Sequence, residues 1–399
     1  MKPFKISKRT RTIEYAIRDV IGFAKDLEKQ GKKILYLNIG DPVKYDFDTP
    51  SHIKKALCDA VNSGSNFYGA SEGEKELREA ICEKEKRTNR IDIAPDDVVV
   101  TSGVSEAIQM SMAAIVEKGD EIMMPGPTYP SYMSYAQFYE GKPVFYRTVE
   151  AEGWQPDTDD IREKISKKTR AIIIINPNNP TGALYDEKTV REILNIAAEH
   201  ELLILSDEIY DRIVYGKRFV STSYLAKDIP VVGLNGFSKA YLATGWRLGY
   251  LYFHDPTGKL AELKECVKKE TRIRLSSCTP VQKAGITALK GPQECVKEMV
   301  DKLRLRRDYT VKRLCEMNGI GCTQPEGAFY VFPRIQKIGS KWKTDMEFVL
   351  DVLNKAGVLL VPGSGFGAAY GSGHVRAVFC ADMNTLEKSM DNLEAFMKK

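Results

Sequence analysis

Apolar residues recur at helical spacing near the start of the chain. Ile13, Ala16, Ile17, Val20, Ala24 and Leu27 share one face over residues 13–30, and Gly31 ends the run. A short strand is predicted at 34–38. A turn-rich stretch, GDPVKYDFDTPS, follows, and Ser51 is expected to cap a helix reaching about residue 62. From about residue 97 the period changes. Short apolar runs at 98–101, 121–124, 144–146, 171–175, 202–206, 231–234 and 248–253 alternate with amphipathic helices. Runs that are apolar on both faces suit strands covered by helices on both sides. The pattern predicts an α/β fold in which a large domain holds a mostly parallel seven-stranded sheet. After about residue 291 it changes again, to a long charged helix at 294–317, sparse strands and a last helix near 385–398. This reads as a smaller α+β domain at 291–399, joined in space by the N-terminal helix and arm at 1–45, with 46–290 as the large domain.

Composition adds bounds. A chain of 399 residues, 43% hydrophobic and 28% charged, has the balance of a folded globular protein large enough for two domains. The net charge of +5 comes from bases interleaved with acids, as in KELREAICEKEKR, so no nucleic-acid stripe is expected. No apolar run approaches the length of a membrane span. The N-terminus, MKPFKISKRTRTIEY, has no apolar core of a secretory signal. The eight cysteines form no CxxC pair and no cluster with the four histidines, which suits reduced thiols in a cytoplasmic protein without a structural metal.

Candidate chemistry lies in loops that follow predicted strands, where ligands bind in open α/β sheets. VVVTSGVSEAIQ is a strand, then Ser102-Gly103-Val104-Ser105, then a helix whose N–H groups would hold an anion, a phosphate by preference. An ordinary serine-capped turn has the same pattern. In MMPGPTYPSY, Tyr129 stands in a turn stiffened by prolines, where it could stack on a flat ring or simply fill the core. IIIINPNNPTG is more specific, since a buried strand ends in a constrained loop that places Asn179 to donate a hydrogen bond. In LLILSDEIYDRIVY, Asp207 ends an apolar strand and Tyr210 follows. A carboxylate there needs a cation or donors, and a protonated ring nitrogen would serve. NGFSKAYLATGWRLGY sets Lys239 after a strand and Arg247 eight residues on. A buried lysine of lowered pKa can form a Schiff base with an aldehyde, and the arginine offers a fork for phosphate. Finally, GSGHVRAVFC puts Arg376 in an apolar strand, where it wants a carboxylate, either from a ligand or from within the chain.

In this order the motifs resemble fold-type I, class I/II aminotransferases over nearly the whole chain. The resemblance implies pyridoxal 5′-phosphate as cofactor. It makes Lys239 the Schiff-base lysine and proton shuttle, and Asp207 the partner of the pyridinium nitrogen. Asn179 and Tyr210 would bond the phenolic oxygen, and Tyr129 would stack on the ring. Gly103, Val104, Ser105, Ser238 and Arg247 would hold the phosphate. Arg376 would clamp the substrate α-carboxylate, with Gly40 and Asn179 nearby. Tyr68, in NFYGASEG, would reach the phosphate of a neighbouring subunit's cofactor, which implies a homodimer with shared sites.

The stretches IEYAIRDV, LNIGDPVKYDFDTP, NPNNPTGALYDE and PGSGFG look closest to alanine aminotransferases of archaeal and bacterial type. By that resemblance Tyr15 and Arg18 line the substrate pocket, and Arg18 meets a distal carboxylate. The alternative for both is packing of an amphipathic helix. The expected reaction is L-alanine plus 2-oxoglutarate to pyruvate plus L-glutamate, with ping-pong kinetics. An aspartate or broad-specificity aminotransferase and a cysteine-S-conjugate β-lyase remain alternatives, because the same residues serve all three. Two departures stand out. Gly236 replaces the Ser or Thr that many relatives carry three residues before the lysine, so one phosphate contact is lost or moved. Arg272 and Arg274 lie near the place of a second side-chain arginine but cannot be assigned to it.

Overall fold

Four consecutive isoleucines show how the central sheet is buried. Ile172 and Ile174 point into one apolar cluster, whereas Ala171, Ile173 and Ile175 point into another on the opposite face. A strand with no wet face has to lie between two layers of helices. The computed structural model describes residues 4–11, 13 and 16–398. Its main sheet contains β1 (Val98–Thr101), β2 (Glu121–Gly126), β3 (Lys142–Val149), β4 (Gln155–Pro156), β5 (Thr169–Ile175), β6 (Leu203–Asp207), β7 (Val231–Gly236) and β8 (Gly249–His254). Their order is β1-β8-β7-β6-β5-β2-β3-β4. β8 runs antiparallel to both neighbours, and β7, β6, β5, β2 and β3 are parallel to one another in turn.

The seven expected strands are present, and a two-residue edge strand, β4, adds an eighth antiparallel to β3. The helices Val104–Ile115 and Pro130–Phe138 cover one face of the sheet, and Glu187–Glu199 covers the other.

The C-terminal part is built from Glu294–Glu316, Asp345–Ala356 and Met383–Met397, with Tyr330–Val331, Val375–Val378 and Val361–Pro362 as a small antiparallel sheet. The N-terminal segment joins it directly. Leu35–Tyr36 pairs in parallel with Val358–Leu359.

Two local expectations are corrected. The single helix expected over 13–30 is divided at Val20 into Ala16–Asp19 and Ile21–Lys29. The halves serve different cores, because Ile17 packs with the cluster under β5 while Val20 and Ala24 pack with that of the C-terminal elements. Ser51 is the first helical residue rather than the cap. Pro50, extended at ψ 138°, takes the cap position, and no side chain bonds the helix end.

Candidate active site

The C-terminal ends of β1, β2, β5, β6 and β7 converge on a cavity of about 200 Å³. Its lining brings together Gly40, Val104, Ser105, Tyr129, Asn179, Asp207, Tyr210, Ser238, Lys239, Arg247, Arg376 and Arg18, all expected from the sequence. Gly103 lies just behind this lining. Tyr68 lies elsewhere, in a shallow groove with Phe67 and Leu275, and it is 83% exposed. Tyr15 lies outside the described residues.

Each wall has a local cause. The anion cradle begins at Gly103, which caps the helix Val104–Ile115 with φ 76°. A side chain there would be strained, and its Cβ would come within 2.5 Å of the Arg247 guanidinium. Arg247 is itself fixed, donating to the carbonyls of Ser102 (3.2 Å) and Thr244 (3.1 Å), with Ser105 Oγ at 3.4 Å. Glu106 Oε2 accepts from Ser102 N at 2.7 Å and tightens the turn. Gly236 has a steric reason. It pairs with Gly249, and a Cβ would meet Gly249 Cα at 3.0 Å. A serine or threonine there would press on the strand opposite, which would have to give by a few tenths of an ångström.

The Asn loop is closed by its own side chains. Asn178 Oδ1 accepts from Thr181 N and Oγ1, its Nδ2 donates to Tyr185, and Asn176 Oδ1 accepts from Tyr185 N. Asn179 is left to face the cavity. Its Oδ1 accepts from Arg376 Nη1 at 3.0 Å, which turns the amide N–H groups toward a ligand. Tyr210 meets Tyr330 hydroxyl to hydroxyl at 2.7 Å.

Asp207 is 4% exposed and makes no ion pair among the described residues, although the charge of Lys239 reaches it. Burial pushes its carboxyl from an ordinary 3.8 up to about 6, against donation by Ile209 N and the Tyr132 hydroxyl (2.9 Å). Lys239 shows the converse. Burial pushes its amine down to about 8, Arg376 and Arg247 contribute in the same direction, and Asp41 and Cys380 oppose. Its Nζ donates to the carbonyl of Gly40 at 2.9 Å. Gly40 admits no side chain, since a Cβ would strike the Tyr330 hydroxyl. Arg376 is 1% exposed, flanked by the rings of Tyr330 (4.6 Å) and Phe366 (4.8 Å), and donates from Nη2 to Asn38 O at 2.6 Å. Its Nε is buried without a partner.

The cavity suits a phosphorylated aldehyde bearing a protonated ring nitrogen. It has an anion cradle, a buried carboxylate short of a cation, an amine of lowered proton affinity and an aromatic wall at Tyr129. The carboxylate gives a direct test. A carboxyl whose folded pKa is raised holds its proton more tightly folded than unfolded, so stability is lost as pH rises from about 4 to 6. The shift is worth on the order of 3 kcal/mol. Cofactor-free Asp207→Asn protein should therefore be more stable than cofactor-free wild type at pH 7, and the gap should close toward pH 4. Equal denaturant midpoints at pH 7 would refute this account of the site.

Three contributors escaped the sequence reading. Tyr132, Tyr330 and the Asn38 carbonyl each touch a site residue. Tyr132 lies in the first turn of the helix Pro130–Phe138 that Tyr129 precedes, and its hydroxyl donates to Asp207. Tyr330 and Asn38 reach the site only through long-range packing. Arg274 is committed within the chain, to Glu106, Ser277 and the carbonyls of Ser71 and Val100. Arg272 is exposed.

Comparison with known proteins shows the family. The family model for class I and II aminotransferases matches residues 32–393. A solved alanine aminotransferase from Pyrococcus furiosus is 56% identical and superposes with a TM-score of 0.97, covering 99% of this chain and 100% of that one. The glutamate-pyruvate aminotransferase AlaA of Escherichia coli K12 is 35% identical over 100% of this chain and 98% of its own length. A probable aspartate aminotransferase of Methanocaldococcus jannaschii is also 35% identical, over 96% and 98%. A buried lysine, a cation-seeking carboxylate and an anion cradle at the strand ends, in a chain matched from residue 32 to 393, place this protein in the class I and II aminotransferases, a family that uses pyridoxal phosphate.

Proposed function

We propose that the enzyme moves the amino group of L-alanine to 2-oxoglutarate, giving pyruvate and L-glutamate in two half-reactions. The observation that carries this reading is the placement of Arg18 and Arg376 in the lining of one cavity. Arg376 serves the α-carboxylate of every substrate, and Arg18, on the N-terminal helix, serves the distal carboxylate of the five-carbon acid. The likeness to alanine aminotransferases supports it. The relative named for aspartate favours a second reading, an aspartate or broad-specificity enzyme.

When bound, pyridoxal phosphate supplies an aldehyde to take the amino group and a ring that withdraws electrons from the substrate Cα. The chain's residues supply the rest. Gly103, Val104, Ser105, Ser238 and Arg247 would hold the phosphate. Asp207 would keep a proton on the ring nitrogen, Asn179 and Tyr210 would bond the phenolic oxygen, and Tyr129 would stack on the ring. Lys239 Nζ takes the proton from Cα and returns it, a task suited to an amine whose pKa lies near the working pH.

We also read residues 1–45 and 291–399 as one domain and 46–290 as the other, supported by the parallel pairing of Leu35–Tyr36 with Val358–Leu359. A homodimer with shared sites fits the apolar groove around Tyr68, where Phe67 is 57%, Leu275 55% and neighbouring Ile273 86% exposed. Tyr68 would then reach the phosphate in the second copy. Among the described residues no helix is long and apolar enough to cross a membrane.

The test is stoichiometric. Loaded enzyme given L-alanine without an acceptor should release one pyruvate per site and stop, and 2-oxoglutarate should restart it. Continued pyruvate release from a cysteine S-conjugate without an acceptor, with the thiolate leaving from Cβ, would favour β-elimination, and faster turnover of aspartate would favour the second reading. Arg18→Gln should raise KM for 2-oxoglutarate about tenfold, as loss of a charged hydrogen bond of about 1.5 kcal/mol predicts, with KM for alanine unchanged. An unchanged KM for 2-oxoglutarate would remove Arg18 from the pocket.

A further inference from the structure

Behind the cavity lies a second group of buried ions that the proposed chemistry does not use. Lys84 (3% exposed) ends the helix Lys75–Lys84, and Glu85 and Asn89 lie on the π-helical turn Glu85–Asn89 that continues it. Lys84 Nζ donates to Asp211 Oδ2 at 2.6 Å and to Glu85 Oε1 at 2.9 Å. Asn89 Nδ2 donates to Glu85 Oε2 at 2.6 Å and to Asp211 Oδ2 at 3.1 Å, and Asn235 Nδ2 reaches the same Oδ2 at 3.0 Å. Tyr250, opposite Asn235 in the β7–β8 ladder, donates to Glu85. One carboxylate oxygen thus gathers three donors from two distant parts of the chain, the helix end at 84–89 and β7.

A buried ion cluster adds little net stability, because desolvation offsets the attraction between its charges, but it tolerates few geometries. The elements it ties together are therefore informative. Asp211 directly follows Tyr210, on the turn that begins at Asp207. Asn235 lies near the end of β7, four residues before Lys239, and its Oδ1 accepts from Gly236 N at 2.7 Å. The same turn and strand share one backbone bond, Glu208 N to Leu234 O, at 2.9 Å. A π turn, which is uncommon and tends to mark functional positions, sets Glu85 and Asn89 side by side to receive the cluster.

We propose that Asn235, held by the Lys84–Asp211 ion pair, is a positioning residue for Lys239. Through it the cluster fixes the strand end that leads to the lysine against the turn that carries Asp207 and Tyr210. The Lys239 amine then keeps its place among the charged and titratable groups that face it: Asp41, Asp207, Tyr210, Arg247, Arg376 and Cys380. The inference rests on Lys239 being the amine that takes the cofactor, but not on which amino acid is the donor.

The test uses the loaded enzyme and two readouts, the pH titration of the bound cofactor's visible absorption and the split between kcat and KM. Asn235→Ala should move the titration midpoint by roughly half a pH unit or more. It should also lower kcat by about tenfold with KM nearly constant, as expected when the catalytic group rather than substrate binding is disturbed. Asn235→Ser, whose shorter side chain carries a hydroxyl in place of the amide and no longer spans the 3.0 Å bond to Asp211 Oδ2, should behave alike and covers the case in which the alanine variant folds poorly. Asp157→Ala, which removes the cap of the distant helix Thr158–Lys164, is the control. It should lower the thermal midpoint and leave the titration in place. If the Asn235 variants lower only the thermal midpoint, the cluster is scaffold and the proposal fails. A wild-type band that does not titrate, or one that survives in Lys239→Ala, would overturn the reading of Lys239 and this inference with it.

Discussion

Lys239→Ala is expected to slow amino transfer on the order of 10⁴-fold or more while the protein still folds. The lysine has two tasks, attachment of the aldehyde and movement of a proton, and proton transfer by a positioned group alone contributes about 10²–10⁴-fold. No other lysine lines the cavity among the described residues, so no neighbour can substitute. Stopped-flow or steady-state pyruvate formation from L-alanine measures the loss. Partial recovery on adding a small alkylamine would identify the missing part as a base. A variant retaining a tenth of wild-type activity would remove Lys239 from the chemistry. Stability should change with pH in a matching way. The folded amine loses its proton near pH 8 rather than the ordinary 10.5, so cofactor-free wild type gains stability as pH rises between those values. Cofactor-free Lys239→Ala protein should lack that gain.

Arg376→Ala should lower kcat/KM for amino acids by about 10²–10³-fold. Truncating one partner of a buried, hydrogen-bonded charge pair costs about 2–5 kcal/mol, and each 1.4 kcal/mol is tenfold. The guanidinium is held from two sides by Asn179 Oδ1 and Asn38 O and between two rings, so it meets a carboxylate already oriented. Its unpartnered Nε marks hydrogen-bonding capacity that the folded chain leaves unused. Arg376→Lys should recover little, because an ammonium lacks the planar fork. The preference for alanine over ethylamine, which lacks only the carboxylate, should collapse in both variants. An unchanged preference would mean that Arg376 does not read that group.

The sequence was most legible where local pattern and burial agree. The seven main strands fall within a few residues of the runs that predict them, because strands apolar on both faces look alike at any position in the sheet. The edge strand Gln155–Pro156 has neither length nor alternation to announce it. Most of the cavity lining follows from motifs that end strands, since topology alone carries those loops to one place. What could not be read came from distance along the chain. Tyr330 stands against Tyr210 across 120 positions, and the Asn38 carbonyl that anchors Arg376 is 338 positions away. The break at Val20 is equally invisible, because two cores compete for one amphipathic run.

That separation of 338 positions also sets an order of events during synthesis. At roughly 5–20 residues per second, a ribosome needs about 20–70 s to travel from Asn38 to Arg376. The strands between 98 and 254 can pair while translation continues, but Leu35–Tyr36 has no partner until Val358–Leu359 has emerged. For that interval the Asn38 carbonyl lacks the Arg376 donor, and the Gly40 segment that accepts from Lys239 lacks its strand partner. The nascent chain can thus carry a finished sheet and no working site.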